Sequence, residues 1–226
     1  MKILRLIAIF IFTAMSWAQT AVRPASITAV GEASLSASPD LARVDIGVVT
    51  QAANAQDATV QNATQAGTVI TALQGLLGSN ASIKTISYSV SPVYNNPPPG
   101  QSPSIVAYMV TNVVEVTLTD LTQTGKVIDT AIQSGANRVQ GISFDLQDRN
   151  PLVAQALKAA AARARSQADA IASGLNVHTG SVLHASESVN NPGPVFTGIA
   201  AAPTTPIQTG LIVVQASVTV EVAITQ

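Results

Sequence analysis

The sequence predicts an α+β protein whose mostly antiparallel sheet carries amphipathic helices packed on one face. Strands are indicated by strict alternation of apolar residues, most clearly at residues 216–224. Helices are indicated where apolar residues recur every three or four positions, as in 54–78, 120–134 and 150–175. Because several strands follow one another through loops rich in proline, they are expected to pair as antiparallel hairpins.

The middle of the chain, residues 119–175, gives the clearest order of elements: helix, strand, helix. Asp120 is a residue type that caps helices, and Gly135 ends this first helix because glycine tolerates left-handed geometry. A strand that is expected to be buried then follows, with apolar side chains at Ile142, Phe144 and Leu146.

The longest helix is predicted to begin at Asn150-Pro151. The asparagine side chain can cap the helix, and proline is tolerated at the first helical position because an N–H there would have no partner within the helix. Its apolar stripe consists largely of alanine. The stripe contains Val153, Leu157, Ala160, Ala164, Ala168, Ile171 and Leu175. Since alanine is small, the helix axis can lie close to the surface that it covers.

The N-terminal half is predicted to hold two strands, a helix and two further strands. The first two strands, 26–38 and 42–50, meet at Pro39-Asp40, and the helix that follows ends at Gly78. Its apolar face is expected to use Val60, Ala63, Val69, Leu73, Leu76 and Leu77. The later strands are 84–93, where Ile86, Tyr88 and Val90 alternate, and 105–118, where Asn112 interrupts an apolar face and would need hydrogen-bond partners.

Two segments resemble each other and indicate two βαββ-like halves, at about 42–118 and 138–224. In the first half Asn95-Asn96-Pro97 follows a strand, and in the second half Asn190-Asn191-Pro192 does. Each half then ends in a long strand that contains Val-Glu-Val, so each proline-rich loop is expected to form the tip of an extended hairpin. Chance similarity between common turn and strand sequences explains the match equally well, so the repeat stays open.

The first 18 residues are expected to be a signal peptide, cleaved before Gln19. Lys2 and Arg5 precede an apolar run that is too short to span a bilayer, and Ser16-Trp17-Ala18 supplies small residues at the −3 and −1 positions. An uncleaved membrane anchor is the alternative. We therefore expect an exported, periplasmic protein, with association with the cell envelope left open.

After the signal peptide we expect a flexible leader at 19–25 and a domain at 26–226. The chain has no cysteine, so disulfides and thiolate chemistry are excluded. Without Lys2 and Arg5 the 11 basic residues become 9 (11 − 2), against 12 acidic residues, for a net charge near −3. Such a balance offers no basic surface, so we expect no nucleic-acid partner, and no integral membrane insertion once the signal peptide is removed.

No pattern of catalytic, cofactor-binding or metal-binding residues stands out. His178 and His184 are the only histidines, and three-residue spacing on a strand sends His184 and Glu187 to opposite faces. Asp145 and Asp148 could pair for acid–base chemistry, or they could solvate a loop and favour the start of the next helix. A Ser–His–Asp triad stays open because its members meet only in space. We assign no site residues, no cofactor and no enzymatic activity.

The charged side chains of the longest helix indicate an ordinary solvated face. Lys158, Arg163 and Arg165 lie on or beside its polar side, and Asp169 follows Arg165 by four residues, the spacing of a helical ion pair. These residues do not form a nucleic-acid patch.

Short motifs occur in a fixed order along nearly all of residues 27–224. They are Val30-Gly31-Glu32, Pro39-Asp40-x-Ala42, Ser91-Pro92-x-Tyr94, Tyr108 with Asn112, Gly125-Lys126-Val127-Ile128-Asp129, Gly135-Ala136-Asn137, Val139, Gly141-Ile142-x-Phe144, Ala162-Arg163 and the stretch from Ala168 to Leu175. Together they resemble the SIMPL-domain family, exported bacterial proteins associated with oxidative-stress defence.

The resemblance implies a periplasmic α+β protein that assembles into homo-oligomers and is not an established enzyme. It supplies no catalytic residues to carry over. Where the family commonly has glycine after the long helix, this chain has Asn176, the next residue type to tolerate left-handed geometry.

The leading hypothesis is thus a non-catalytic periplasmic oligomer that contributes to envelope or oxidative-stress protection. The alternative is a periplasmic binding module that holds a small molecule or peptide between the proline-rich loops 95–104 and 190–206. Tyr94 and Phe196, beside or within those loops, would be its aromatic contacts.

The second loop leads to a prediction about assembly, because it is more apolar than a solvated loop needs to be. Its apolar residues include Val195, Phe196 and Ile199, and we predict that residues 194–202 contribute contacts in a homo-oligomer. Replacing residues 195–202 with a Gly/Ser linker should lower the native mass and leave the far-UV circular dichroism nearly unchanged. A variant that stays fully assembled would contradict the prediction.

Overall fold

The computed structural model describes residues 24–78, 82–192 and 209–226 and contains two antiparallel β-sheets, each with helices on one face. This confirms the predicted α+β class. The elements in chain order are β1 (Ser26–Ala37), β2 (Leu41–Ala52), α1 (Ala55–Leu77), β3 (Ser82–Tyr94), β4 (Ile105–Leu118), α2 (Thr124–Gln133), β5 (Arg138–Asp145), α3 (Asn150–Gly174), β6 (His178–Asn190) and β7 (Ile212–Thr225).

The four-stranded sheet has the order β3-β4-β2-β5, and α1 and α2 cover one of its faces. Strand β2 lies inside this sheet, and four alternating apolar residues on it are buried beneath the helices. They are Ala42, Val44, Ile46 and Val48. The predicted strand 42–50 is therefore confirmed, and its alternation gives it one face buried in the core.

The buried face of α1 differs from the predicted one. It consists of Ala58, Asn62, Ala66, Val69 and Leu73, whereas Val60 is 59 % exposed. Asn62 is fully buried, and its Nδ2 donates to the carbonyl oxygens of Val48 at 2.9 Å and Val110 at 3.3 Å. Because this amide reaches the backbone of two neighbouring strands, it fixes the rotation of the helix over the sheet, which apolar periodicity alone could not indicate.

The three-stranded sheet has the order β1-β7-β6 and is covered by α3. The buried residues of α3 are all alanine and recur at every fourth position: Ala156, Ala160, Ala164, Ala168 and Ala172. The predicted stripe was therefore wrong at its C-terminal end, where Ile171 is 38 % and Leu175 is 61 % exposed. The larger side chains do not fit beneath the helix because its axis lies so close to the strands.

That close approach is centred on Gly31 of β1. A Cβ atom at this position would overlap the carbonyl oxygen of Ala160 and the amide nitrogen of Ala164, and would lie 2.9 Å from Ala164 Cα. Only a residue without a side chain can stand there. Helix α3 consequently packs mainly against β1 and β7, and less against β6.

Strand pairing crosses the boundary of the predicted halves. The strands of the segment 42–118 form one sheet together, but β5, which opens the segment 138–224, pairs with β2. The position beside β7 is taken by β1. Each sheet thus contains a strand–helix–strand–strand unit. The first unit is β2-α1-β3-β4, and the second consists of α3, β6 and β7 with β1 from the N-terminal part of the chain as its first strand. Whether the two units are true repeats stays a prediction.

Most predicted helix ends are confirmed. Gly135 and Asn176 both have positive φ, at 112° and 55°. The Asp120 side chain accepts a hydrogen bond from Thr122 N, but it caps a short 3₁₀ turn, Leu121–Gln123, and α2 itself begins at Thr124 without a side-chain cap. The cap of α3 was wrong: Asn150 is already helical, and its amide nitrogen donates to Asp148 Oδ1 at 2.8 Å. Strand β5 was also predicted to be buried, yet only Phe144 is, because β5 lies at the edge of its sheet.

Some predictions concern parts of the chain outside the described residues. These parts are the signal peptide at 1–18, most of the leader, and the proposed oligomer contact at 194–202 with Phe196. Within the described ranges, no helix is both long and apolar enough to cross a membrane.

Replacing Gly31 with alanine should destabilise the protein by more than about 3 kcal/mol, because the added methyl group meets backbone that cannot move without displacing α3. Urea unfolding followed by circular dichroism measures this free energy. The control is Gly67→Ala on the exposed face of α1, where a Cβ meets no atom within 4 Å and stability should rise by up to about 1 kcal/mol. Equal effects of the two substitutions would contradict the assigned role of Gly31.

Candidate functional site

The side chains that the sequence offers for chemistry do not come together. His184 lies opposite Glu221 of β7, on the face turned away from α3, and Glu187 lies opposite Val218 on the helix-covered face. This confirms that His184 and Glu187 project to opposite faces. His178 is at the exposed start of β6, opposite Thr225. In residues 24–78, 82–192 and 209–226, no three His, Asp or Glu side chains are grouped so that they could hold a metal ion.

Asp145 and Asp148 do not form an acid–base pair, because each is engaged elsewhere. Asp145 accepts from Arg149 Nε at 2.6 Å, from Arg43 Nη1 at 3.4 Å and from Leu146 N at 2.7 Å. Asp148 accepts from the first amide of α3. Partial burial of Asp145 opposes its ionisation, but the hydrogen bonds from Arg149 and Leu146 and the charge of Arg149 outweigh this effect and lower the pKa of Asp145 below its ordinary value of 3.8.

The carboxylate of Asp145 lies where the chain crosses between the two sheets. One crossing is the β1–β2 connection at Asp40, and the other is the β5–α3 connection at Gln147. Asp40 N donates to Asp145 O at 3.1 Å, and Gln147 N donates to Asp40 Oδ1 at 2.7 Å. The charged network and these hydrogen bonds therefore tie the two crossings together.

The long helix also uses its charges for packing. Arg165 and Asp169 form the predicted ion pair, at 3.2 Å. Arg165 also donates to Thr179 Oγ1 at 2.8 Å and to the carbonyl oxygen of Gly180 at 3.1 Å on β6, and Arg163 donates to the carbonyl oxygen of Glu32 at 2.6 Å on β1. These arginines thus hold the helix against both edge strands of its sheet, which a purely solvated face would not do.

The most exposed apolar surface belongs to the β3–β4 arm, defined as residues 85–114. Strand β2 last pairs with β4 at Ala52 and Tyr108, whereas β3 and β4 remain paired as far as Tyr94 and Ile105. Only the outer part of the arm, residues 93–107, therefore projects beyond β2 as a two-stranded hairpin, and the rest of the arm lies within the sheet. Seven large apolar side chains on it are exposed: Ile86, Tyr88, Val90, Tyr94, Ile105, Val106 and Met109.

The tip of the arm, residues 95–104, is an ordered turn. Asn95 N donates to Ser104 O at 3.0 Å, and Ser104 N donates to Asn95 Oδ1 at 2.7 Å. Gly100 has a φ of 95°, and prolines stiffen the rest of the tip. The prediction that this loop forms the tip of an extended hairpin is confirmed.

A second apolar surface is the α3–β6 groove, a depression of about 300 Å³ between that helix and that strand. It is lined by Leu157 and Ala161 of α3, by Ala185, Ser186 and Glu187 of β6, and by Val218 of β7. The groove is open because α3 lies over β1 and β7 and leaves the flank of β6 uncovered. Sequence patterns could not indicate it, since it depends on where the helix axis lies.

A polar cavity of about 390 Å³ lies along the three-stranded sheet, and Arg163 of α3 lines it together with residues of all three strands. Two cross-strand rows line it, Glu32-Ser217-Ser188 and Ser34-Gln215-Asn190. Such hydroxyl and amide rows are expected on a face in contact with water.

The fold and these surfaces define the class of protein: two helix-covered antiparallel sheets with exposed apolar side chains on an edge hairpin. The SIMPL family model, described as a protein of unknown function (DUF541), matches residues 27–222, and the chain belongs to this family. It is similar to the 26 kDa periplasmic immunogenic proteins of Brucella melitensis and Brucella abortus, with 30 % identity to each over 182 residues. The match covers 78 % of this chain and 72 % of each relative.

Replacing Asp145 with asparagine should lower the free energy of unfolding by about 1–3 kcal/mol near neutral pH, because two arginines lose their carboxylate. A carboxylate whose pKa is lowered by folding stabilises the protein above its unfolded pKa, and this stabilisation is lost as the pH falls through the folded pKa. The difference between wild type and variant should therefore shrink as the pH falls below 3.8.

Urea unfolding at about pH 7 and at about pH 3 measures this difference. The matched control is Asp129→Asn on α2, since Asp129 makes no ion pair with any described residue. A difference for Asp145→Asn that stays constant across this pH range would contradict the assigned interaction.

Proposed function

We propose that this protein is an exported periplasmic homo-oligomer that acts without catalysis and contributes to envelope or oxidative-stress protection. The N-terminal sequence supports export, and the names of the Brucella relatives support a periplasmic location. The resemblance of its motifs to exported proteins of oxidative-stress defence supports the protective role.

A non-catalytic role is supported by the contacts of the candidate catalytic side chains, Asp145, Asp148 and His184. Asp145 is bound by two arginines at the crossing between the sheets, and Asp148 serves the N-terminus of α3. His184 lies opposite Glu221 in the β6–β7 pair, and the Oε1 atom of Glu221 accepts from Ser26 Oγ at 2.6 Å. In this arrangement the serine hydroxyl donates to the carboxylate, whereas a nucleophile would need to donate to the histidine.

The β3–β4 arm is the observation that carries the proposal of an oligomer. An arm with seven exposed large apolar side chains is costly to leave in water, and contact with another protein surface would remove that cost. The arm contains all three tyrosines of the chain, a residue type enriched at protein interfaces. A second copy is the partner that is always present at matching concentration, and most soluble oligomers are built from identical chains.

The native mass of the mature protein tests assembly. We expect sedimentation equilibrium at micromolar concentration to give a multiple of the chain mass, because the arm is buried between copies. A protein that is monomeric under these conditions would contradict the oligomer.

The protective role is tested in a deletion strain of the source bacterium. We expect lower survival under peroxide than for the parent strain, and full restoration by a His184→Ala copy because no catalysis is involved. Restoration by wild type but not by His184→Ala would contradict the non-catalytic role, and normal survival of the deletion strain would contradict the protective role.

A further inference from the structure

We infer that the tip of the β3–β4 arm of one copy inserts into the α3–β6 groove of a second copy. In this contact Tyr94 packs against Leu157 and Val218, and its hydroxyl group donates to Glu187. The inference rests on the homo-oligomer proposed above and names the two surfaces that meet in it.

The arm has no charged side chain. Lys84 precedes the arm and Glu115 follows it, and the 30 residues between them, 85–114, are all uncharged. A segment of this composition can enter an apolar groove without the cost of desolvating a charge. Tyr94 lies at the end of β3 beside the tip and is 56 % exposed, so it is free to make a contact.

The groove combines apolar walls with the carboxylate of Glu187. Its floor and helix wall are apolar, at Val218, Leu157 and Ala161, and Glu187 is the one charged residue among those that line it in the described part of the chain. An ionised carboxylate accepts hydrogen bonds but has no hydrogen to donate. A phenol can donate one to it without adding a second charge. A tyrosine therefore fits both parts of the groove, the ring against the aliphatic wall and the hydroxyl group on the carboxylate.

The arm belongs to the four-stranded sheet and the groove to the three-stranded sheet. Among the described residues, the arm strands β3 and β4 pack against each other, β2 and α1, and no comparable packing joins them to α3 or β6 of the same chain. An arm that enters the groove must therefore come from another copy. Because the two surfaces differ, the contact is head to tail, and its repetition builds a ring or a filament rather than only a dimer.

The cost of ordering such a contact is small on both sides. The tip is already fixed by the two hydrogen bonds between Asn95 and Ser104 and by its prolines. The helix wall of the groove is fixed in position because the backbone of α3 packs directly against Gly31. Preorganised surfaces lose little conformational entropy when they associate.

The test uses one variant for each surface. Tyr94→Glu places a second carboxylate beside Glu187, and Ala185→Trp fills the groove from an exposed position of β6. We expect each variant alone to sediment as a single chain. An equimolar mixture should form a complex of two chains, because the Tyr94→Glu copy retains its groove and the Ala185→Trp copy retains its arm.

A charge reversal tests the pair directly. Adding Glu187→Lys to Tyr94→Glu should restore the mass of the wild-type assembly, because the two carboxylates become an ion pair. The matched control is Val60→Glu, which charges an exposed apolar residue of α1 outside both surfaces and should leave the assembly intact. Unchanged far-UV circular dichroism and melting temperature show that each variant is folded.

The outcomes separate this inference from the proposed function. A wild-type protein that is monomeric would overturn both. A wild-type assembly that persists in Tyr94→Glu and in Ala185→Trp would overturn the arm-in-groove contact and leave the oligomer standing. A mixture of the two variants that forms no two-chain complex would also overturn the contact.

Discussion

The contact between Gly31 and the backbone of α3 is the constraint on which the three-stranded sheet and its helix depend. Because position 31 has no side chain, Ala160 and Ala164 can rest directly on β1. Every buried residue of the helix must then be small, and all of them are alanine. The helix is thereby held over β1 and β7, and the flank of β6 remains open as a groove. The absence of a side chain at position 31 thus determines where α3 lies, and the position of α3 leaves the α3–β6 groove open.

The four-stranded sheet uses a different device to place its helix. Helix α1 buries Asn62, and the hydrogen bonds from its amide to Val48 and Val110 set the rotation of the helix. Since these partners lie on β2 and β4, the helix covers the centre of the sheet and leaves β3 at an uncovered edge. In each sheet one residue fixes the position of the covering helix, Asn62 for α1 and Gly31 for α3, and one edge strand, β3 or β6, stays largely uncovered. In one sheet the exposed strand becomes an arm, and in the other it becomes one wall of a groove.

Charge is used sparingly and mainly for structure. Asp145 joins Arg43 and Arg149 where the chain crosses between the sheets, and arginines of α3 reach both edge strands of its sheet. The arm carries no charge over 30 residues, a feature visible in the sequence whose meaning appears only with its exposure. An uncharged segment can equally well be buried inside a protein. Seven of its large apolar side chains are exposed, three of them where residues 93–107 extend beyond β2, so this segment is open to contact with another molecule.

The sequence by itself determined the elements, since alternation and helical spacing report local burial, and Asp120 and Gly135 act within one turn of chain. It also determined the α+β class, the absence of thiol chemistry and the family. The tertiary structure alone decided that β5 joins β2 while β1 joins β7, that Ile171 is exposed and Asn62 buried, and that an arm and a groove exist. These features depend on which distant residues meet, and periodicity along the chain records only that a side chain faces a neighbour, never which one.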